Sequence, residues 1–124
     1  MAAELDAADL IVDDLCSYIV DVWVSDSALL TDKDRLLALM RTAAREGEAT
    51  ILGEASHTFP NGAVTAILLL SASHLSVHTW PEYSLANVDL LAYGRLKGDR
   101  MMASLEAGMS VTRVNATRIL RAVH

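Results

Sequence analysis

Ser71-Ala72-Ser73-His74-Leu75-Ser76-Val77-His78-Thr79-Trp80-Pro81-Glu82-Tyr83 follows directly on an apolar run, 63–70, that is interrupted only by Thr65. A near-continuous apolar run of that length reads as a buried strand. Positions 74–79 then alternate and read as the next strand, which Pro81 ends because proline cannot donate to a ladder. Upstream, Pro60-Asn61-Gly62 is a turn signal between two apolar runs, and 48–52 reads as the strand before it. Thr31 or Asp32 caps a helix running to about Arg45, with Leu36, Leu37, Leu39 and Met40 on its apolar face and Gly47 as the residue that stops it. Before that, Leu10 to Val12 opens an apolar run that continues as strand or helix towards Val24. Downstream, 85–93 reads as a strand with Ala86, Val88, Leu90 and Ala92 on one face. Positions 94–98 turn the chain, and Asp99 or Arg100 starts a helix to about Ala107, closed by Gly108. A basic, alternating stretch, 111–123, reads as the last strand.

That order gives five or six strands and two long helices, with consecutive strands between the helices. The expected fold class is α+β: a two-layer α/β sandwich, a mostly antiparallel sheet with two main helices on one face. A chain of 124 residues fits one domain, 1–124, with enough core to dispense with disulfides or structural metal. The apolar fraction is 52% and the mean hydropathy is +0.30. With the helices on one face, that excess apolar surface would be satisfied by a second copy, so a homodimer or higher homo-oligomer is expected. The longest apolar run is too short to span a bilayer, and no basic segment followed by an apolar one opens the chain, so neither membrane nor signal peptide is expected. A single cysteine, Cys16, excludes an internal disulfide framework and fits a reducing cytoplasm. The net charge of −6 argues against nucleic acid, and Arg113, Arg118 and Arg121 are only a thin scatter of cations. Asp6, Asp13, Asp14 and Asp21 read as a solvated face.

Apolar alternation explains the strands around Ser73 but does not call for His-x-x-x-His followed by Trp-Pro-Glu. A metal is not expected there. His74 and His78 share a strand face but lie too far apart for easy chelation, and neither they nor His57 has a cysteine or carboxylate at metal spacing.

From about Gly47 to Tyr93 the chain resembles the bacterial-type, pyruvoyl-dependent S-adenosylmethionine decarboxylase family. The matching residues are Ala49-Thr50-Ile51, His57, Phe59-Pro60, Gly62, Ser73-His74, His78-Thr79-Trp80-Pro81-Glu82-Tyr83 and Val88-Asp89. The stretch from Ser73 to Tyr83 is highly specific, whereas the flanks match only in their pattern of elements. The resemblance implies a self-processing decarboxylase cleaved between Ala72 and Ser73, acting on S-adenosylmethionine or a related amino acid. Its cofactor would be a pyruvoyl group derived from Ser73. Members are assembled from two protomers with active sites near the shared interface.

Carried across by position, Ser73 is the pyruvoyl precursor and His78, five residues on along the same extended segment, is the processing base. Phe59 falls where the family stacks an aromatic ring on the adenine. Glu82 falls where a carboxylate binds the ribose hydroxyls. Both residue types suit those tasks, since a π-face holds a purine and a carboxylate accepts two hydroxyl donors. Three positions depart from the pattern. Ala72 replaces a glutamate before the cleaved bond, and Thr65 stands for a serine near the reacting hydroxyl. Tyr93 stands for the cysteine that protonates the substrate carbon after CO₂ leaves. An alternative reading is an unprocessed, catalytically silent or repurposed relative that binds a nucleoside-like ligand or regulates a partner.

Overall fold

The computed structural model describes residues 15–122. Six strands, β1 (Leu15–Val24), β2 (Ile51–Thr58), β3 (Val64–Leu70), β4 (Ser73–Trp80), β5 (Leu85–Tyr93) and β6 (Val111–Arg121), form one sheet in the order β2-β3-β4-β5-β1-β6. Every neighbouring pair is antiparallel. Helices α1 (Lys33–Glu46) and α2 (Arg95–Ala107) pack against the same face. This is the α+β sandwich expected, with six strands and both helices on one side. Among the described residues no helix is long and apolar enough to cross a membrane.

Strand alternation divides the side chains between the two faces. Tyr18, Val20 and Val22 of β1, Ala66, Leu68 and Leu70 of β3, Leu75 and Val77 of β4, and Val88 and Leu90 of β5 are buried beneath the helices. Leu36, Met40 and Leu105 meet them from the helix layer, fully buried. Each such leucine contributes about 1.5–3 kcal/mol on burial. Asp32 caps α1 by accepting from the Arg35 N–H at 3.1 Å, and Gly47 closes it. Helix α2 is fixed to the sheet by Tyr18, whose hydroxyl contacts the Arg95 carbonyl at 3.0 Å and Asp99 Oδ1 at 2.7 Å. Arg118 of β6 closes that cluster with two contacts to the Asp99 carboxylate, at 2.8 and 3.0 Å.

Several expectations need correction. The strand placed at 48–52 begins at Ile51 and runs to Thr58; Glu48 instead takes a left-handed φ of 57° in the connection after α1. The run 63–70 is not buried throughout. Its even positions face the helices, while Ile67 and Leu69 stand 41% and 56% exposed on the other side of the sheet. Helix α2 starts at Arg95, not at Asp99, and contains Gly98. That glycine is demanded by packing: a Cβ there would lie 2.4 Å from Cε1 of Tyr18. Asp21 is not part of a solvated face but accepts hydrogen bonds from Asn87 and Asn115 on the uncovered side of the sheet. Leu10 to Val12, Asp6, Asp13 and Asp14 lie outside the described residues.

Candidate active site

Ser73 sits at the end of the β3–β4 hairpin. Leu70 pairs with Ser73, so Ser71 and Ala72 form the two-residue turn between the strands. The Ser71 N–H donates to the Thr50 carbonyl at 2.9 Å and ties the turn to the start of β2. Ala72, immediately before Ser73, has a φ of 63°. In that left-handed region the Cβ crowds the carbonyl oxygen, at a cost of about 1–2 kcal/mol for a residue other than glycine. The strained residue therefore supplies the carbonyl of the Ala72–Ser73 bond. Ser73 is half-buried and lines a cavity of about 230 Å³ together with Thr50, Tyr93, Lys97 and Met101.

Phe59, Thr65, His78 and Glu82 line a different cavity, of about 340 Å³, with Trp80 and Asn61. That volume lies within the range of about 300–1,000 Å³ usual for small-molecule sites. Thr65 and His78 face each other across β3 and β4, and Thr65 Oγ1 shares a hydrogen bond with His78 Nδ1 at 3.1 Å. Phe59, half exposed, makes an edge contact with the His57 ring at a centroid distance of 4.6 Å. Asn61 holds the mouth: its Oδ1 accepts from the Ala63 N–H at 3.0 Å, and its Nδ2 donates to Glu82 at 3.3 Å. Pro60-Asn61-Gly62 read in sequence only as a turn, so this contact to Glu82 was missed. Lys97 was missed too, because it lay inside a segment assigned to a turn.

The two groups do not meet within one chain. Ser73 shares the helix-covered face of β4 with Leu75 and Val77, whereas His78 lies on the opposite face, across from Thr65 and Asn87. Five residues of strand also separate them by about 16 Å at about 3.3 Å per residue. A histidine next to Ser73 along the same segment is therefore corrected: in this fold His78 cannot reach the Ser73 α-proton of its own chain.

The uncovered face is polar at one end and apolar towards the other. Trp80 Nε1 donates to Asn87 Oδ1 at 2.6 Å, and Asn87 Nδ2 donates to Asp21 at 2.8 Å. Beyond these lie Ile19, Ile67, Leu69 and Ile119, all more than 40% exposed.

The fold and the hairpin define a class: an antiparallel α+β sandwich with one bare sheet face and a serine placed just after a strained turn residue. The comparisons narrow it. The family model described as S-adenosylmethionine decarboxylase matches residues 16–122. The S-adenosylmethionine decarboxylase proenzyme of Prochlorococcus marinus is 41% identical over 76 residues, 61% of each chain. That of Pyrobaculum islandicum is 37% identical over 75 residues, 60% of each. The match thus spans about three fifths of the length of these relatives. The crystal structure of the adenosylmethionine decarboxylase from Aquifex aeolicus superimposes with a TM-score of 0.83, covering 92% of this chain and 95% of that one at 23% identity, a likeness of fold. The chain belongs to the S-adenosylmethionine decarboxylase family.

Proposed function

We propose that the chain, 1–124 as one domain, is a self-cleaving proenzyme of a pyruvoyl-dependent decarboxylase acting on S-adenosylmethionine or a closely related amino acid. The observation that carries this reading is the left-handed Ala72 immediately before a serine whose side chain borders a cavity. Ser73 Oγ attacks the Ala72 carbonyl carbon; the amide C–N bond breaks and an ester forms, leaving the Ser73 nitrogen as a free amine. Loss of the strained turn geometry favours that shift. A base then removes the Ser73 α-proton, and the electron pair expels the Ala72 carboxylate. The dehydroalanine left at position 73 takes up water and releases ammonia, which yields the pyruvoyl end. The small Ala72 side chain and the open space beside Ser73 suit a group of that size. A pyruvoyl carbonyl supplies the electron-withdrawing centre that a departing CO₂ requires.

Processing needs a base, and the chain's own His78 is out of reach, so the site is completed by a second copy. The bare, apolar face is the surface to be covered. A two-fold axis across the middle of β4 lays the Ser73 end of one copy over the Thr65–His78 end of the other. An imidazole suits proton abstraction near neutral pH. Phe59 and Glu82 then lie beside the reacting centre, where the ring offers a face for a purine and the carboxylate accepts ribose hydroxyls. Tyr93, which borders the Ser73 cavity from the end of β5 and lies on the uncovered face, is the candidate to return a proton to the substrate carbon. The protein is expected to work in the cytoplasm on a small-molecule substrate.

Intact mass of the purified protein tests the reading. Two fragments, 1–72 and 73–124, with the second blocked at its first residue, are expected, and Ser73→Ala should give a single full-length chain. A wild-type chain that stays whole on prolonged incubation overturns it. Release of CO₂ from a plain amino acid but not from S-adenosylmethionine would remove Phe59 and Glu82 from an adenosine site.

A further inference from the structure

The tryptophan of the motif has no part in the chemistry above, yet Trp80 lines the same cavity as Phe59, His78 and Glu82. It is the last residue of β4 and stands 45% exposed, so packing alone does not fix its indole. A hydrogen bond does. Trp80 pairs with Leu85, and Asn87 is the next residue on the same face of β5, diagonally across from Trp80. There Trp80 Nε1 donates to Asn87 Oδ1 at 2.6 Å.

The chemistry of the partners fixes which way the Asn87 amide points. An indole N–H can only donate, and a carboxylate anion can only accept. Asn87 therefore turns its oxygen to Trp80 and its nitrogen to Asp21, which it faces across β5 and β1; Nδ2 donates to Asp21 Oδ1 at 2.8 Å. The second carboxylate oxygen accepts from Asn115 Nδ2 at 3.4 Å, and Asn115 faces Asp21 across β1 and β6. The result is a directed chain over four strands, from Trp80 to Asn87 to Asp21, with Asn115 closing it from the far side. Without an acceptor at position 21 the Asn87 amide is free to turn over and set its NH2 against the indole N–H, donor against donor. Asp21 thereby acts on Trp80 from two strands away.

We propose that Asn87 and Asp21 are positioning residues that act through Trp80, holding its indole as a wall of the substrate cavity beside Phe59. The proposal deepens the decarboxylase reading and rests on that cavity as the place of the substrate's nucleoside. With Nε1 occupied by Asn87, the indole offers a ligand its apolar ring and π-surface and not its donor, which suits a purine nucleoside. A ring already held in one orientation loses less freedom when the ligand arrives. The network therefore shows in affinity and KM, not in the chemical step at Ser73.

The first test needs no cofactor. The chain has two tryptophans, and Trp23 lies beneath the Arg113 guanidinium at 3.6 Å, so Trp23→Phe keeps a ring there and leaves Trp80 as the only indole. In uncleaved Ser73→Ala protein carrying Trp23→Phe, 5′-deoxy-5′-methylthioadenosine should quench the Trp80 emission. Asn87→Leu should lower the emission anisotropy and weaken binding about tenfold, and Asp21→Leu should weaken it about fivefold. Asp21→Asn, which keeps an oxygen facing the Asn87 amide, should stay within about twofold of the parent. Asn87→Ala removes the same acceptor without added bulk and serves where leucine prevents folding. In the processed enzyme, Asn87→Leu should raise KM about tenfold for S-adenosylmethionine and leave kcat near wild type. In a Trp80→Phe enzyme, which has no ring N–H to hold, Asn87→Leu should raise KM no further. A nucleoside that leaves Trp80 emission unchanged overturns the proposal. So do an unchanged affinity in both Asn87 variants, and an added KM effect of Asn87→Leu in the Trp80→Phe enzyme, which would make the network merely structural. A wild-type chain that never cleaves would instead refute the decarboxylase reading, while the quenching and anisotropy of the uncleaved protein still decide the placing of Trp80.

Discussion

Replacing Ala72 by glycine separates strain from sequence at the cleaved bond. Ala72 has a φ of 63°, and a Cβ in the left-handed region costs about 1–2 kcal/mol that glycine does not incur. If the strain is released as the ester forms, Ala72→Gly lowers the starting state by about 1 kcal/mol and leaves the transition state where it was. At about 1.36 kcal/mol per factor of ten, cleavage should slow about fivefold. Global stability should change much less. Glycine also enlarges the freedom of the unfolded chain by about 0.5–1 kcal/mol, which offsets most of the relief in the folded one. The two effects can be read separately. Cleavage is timed on denaturing gels from freshly translated protein, and unfolding is followed by denaturant titration in the Ser73→Ala background, where no cleavage intervenes. Slower cleavage with a shift in unfolding free energy below about 1 kcal/mol is the expected pair. Cleavage at the wild-type rate or faster would show that the turn geometry stores nothing the reaction uses.

Three further outcomes follow from the same geometry. If each site draws Ser73 from one copy and His78 from the other, Ser73→Ala and His78→Ala proteins, each inactive alone, should regain about a quarter of wild-type activity when refolded together in equal amounts, because half of the dimers are mixed and each of those has one intact site; no regain would place the site within one chain. Gly98→Ala should destabilise the fold by about 1–3 kcal/mol despite the better helix propensity of alanine, because the new Cβ would fall 2.4 Å from the Tyr18 ring, and a melting temperature equal to wild type would refute that packing. Burial and the hydrogen bond to Asp99 push the Tyr18 phenol well above its usual range. Since the folded value lies above the unfolded one, this contribution is complete below about pH 10 and is lost as pH rises further; Tyr18→Phe should flatten the alkaline fall in stability, and an unchanged fall would assign it to other groups.

Much of the fold could be read from local rules because the local rules and the packing agree. Asp32 before an amphipathic stretch and Gly47 after it bound α1 within a residue or two, and the alternation over 85–93 matched β5 and its buried face. Errors arose where packing overrode a local preference. Gly98 looked like part of a turn because glycine weakens helices, yet it lies inside α2 because Tyr18 leaves no room for a side chain. The run 63–70 looked buried on both sides because Ile67 and Leu69 are as apolar as the core residues they alternate with, and hydropathy alone does not distinguish an apolar side chain under the helices from one exposed on the bare sheet face.

The candidate site was legible as a set of residue types and illegible as an arrangement, although the parity of the motif already contained the answer. In a strand, residues an even number apart share a face and residues an odd number apart do not. Ser73 and His78 are five apart, so once both are assigned to β4 they must point to opposite sides, whatever the rest of the fold does. Reading them as nucleophile and base in one chain treats neighbours in sequence as neighbours in space. Thr65 and His78, thirteen apart in sequence, do meet, because hairpin register brings them together. By the same rule Tyr93, six residues after Asn87 on β5, shares the uncovered face with His78, although its end of β5 also borders the Ser73 cavity. Under the proposed reading a motif split in this way by strand parity is completed by a second copy, and the uncovered face is the surface on which that copy would fit.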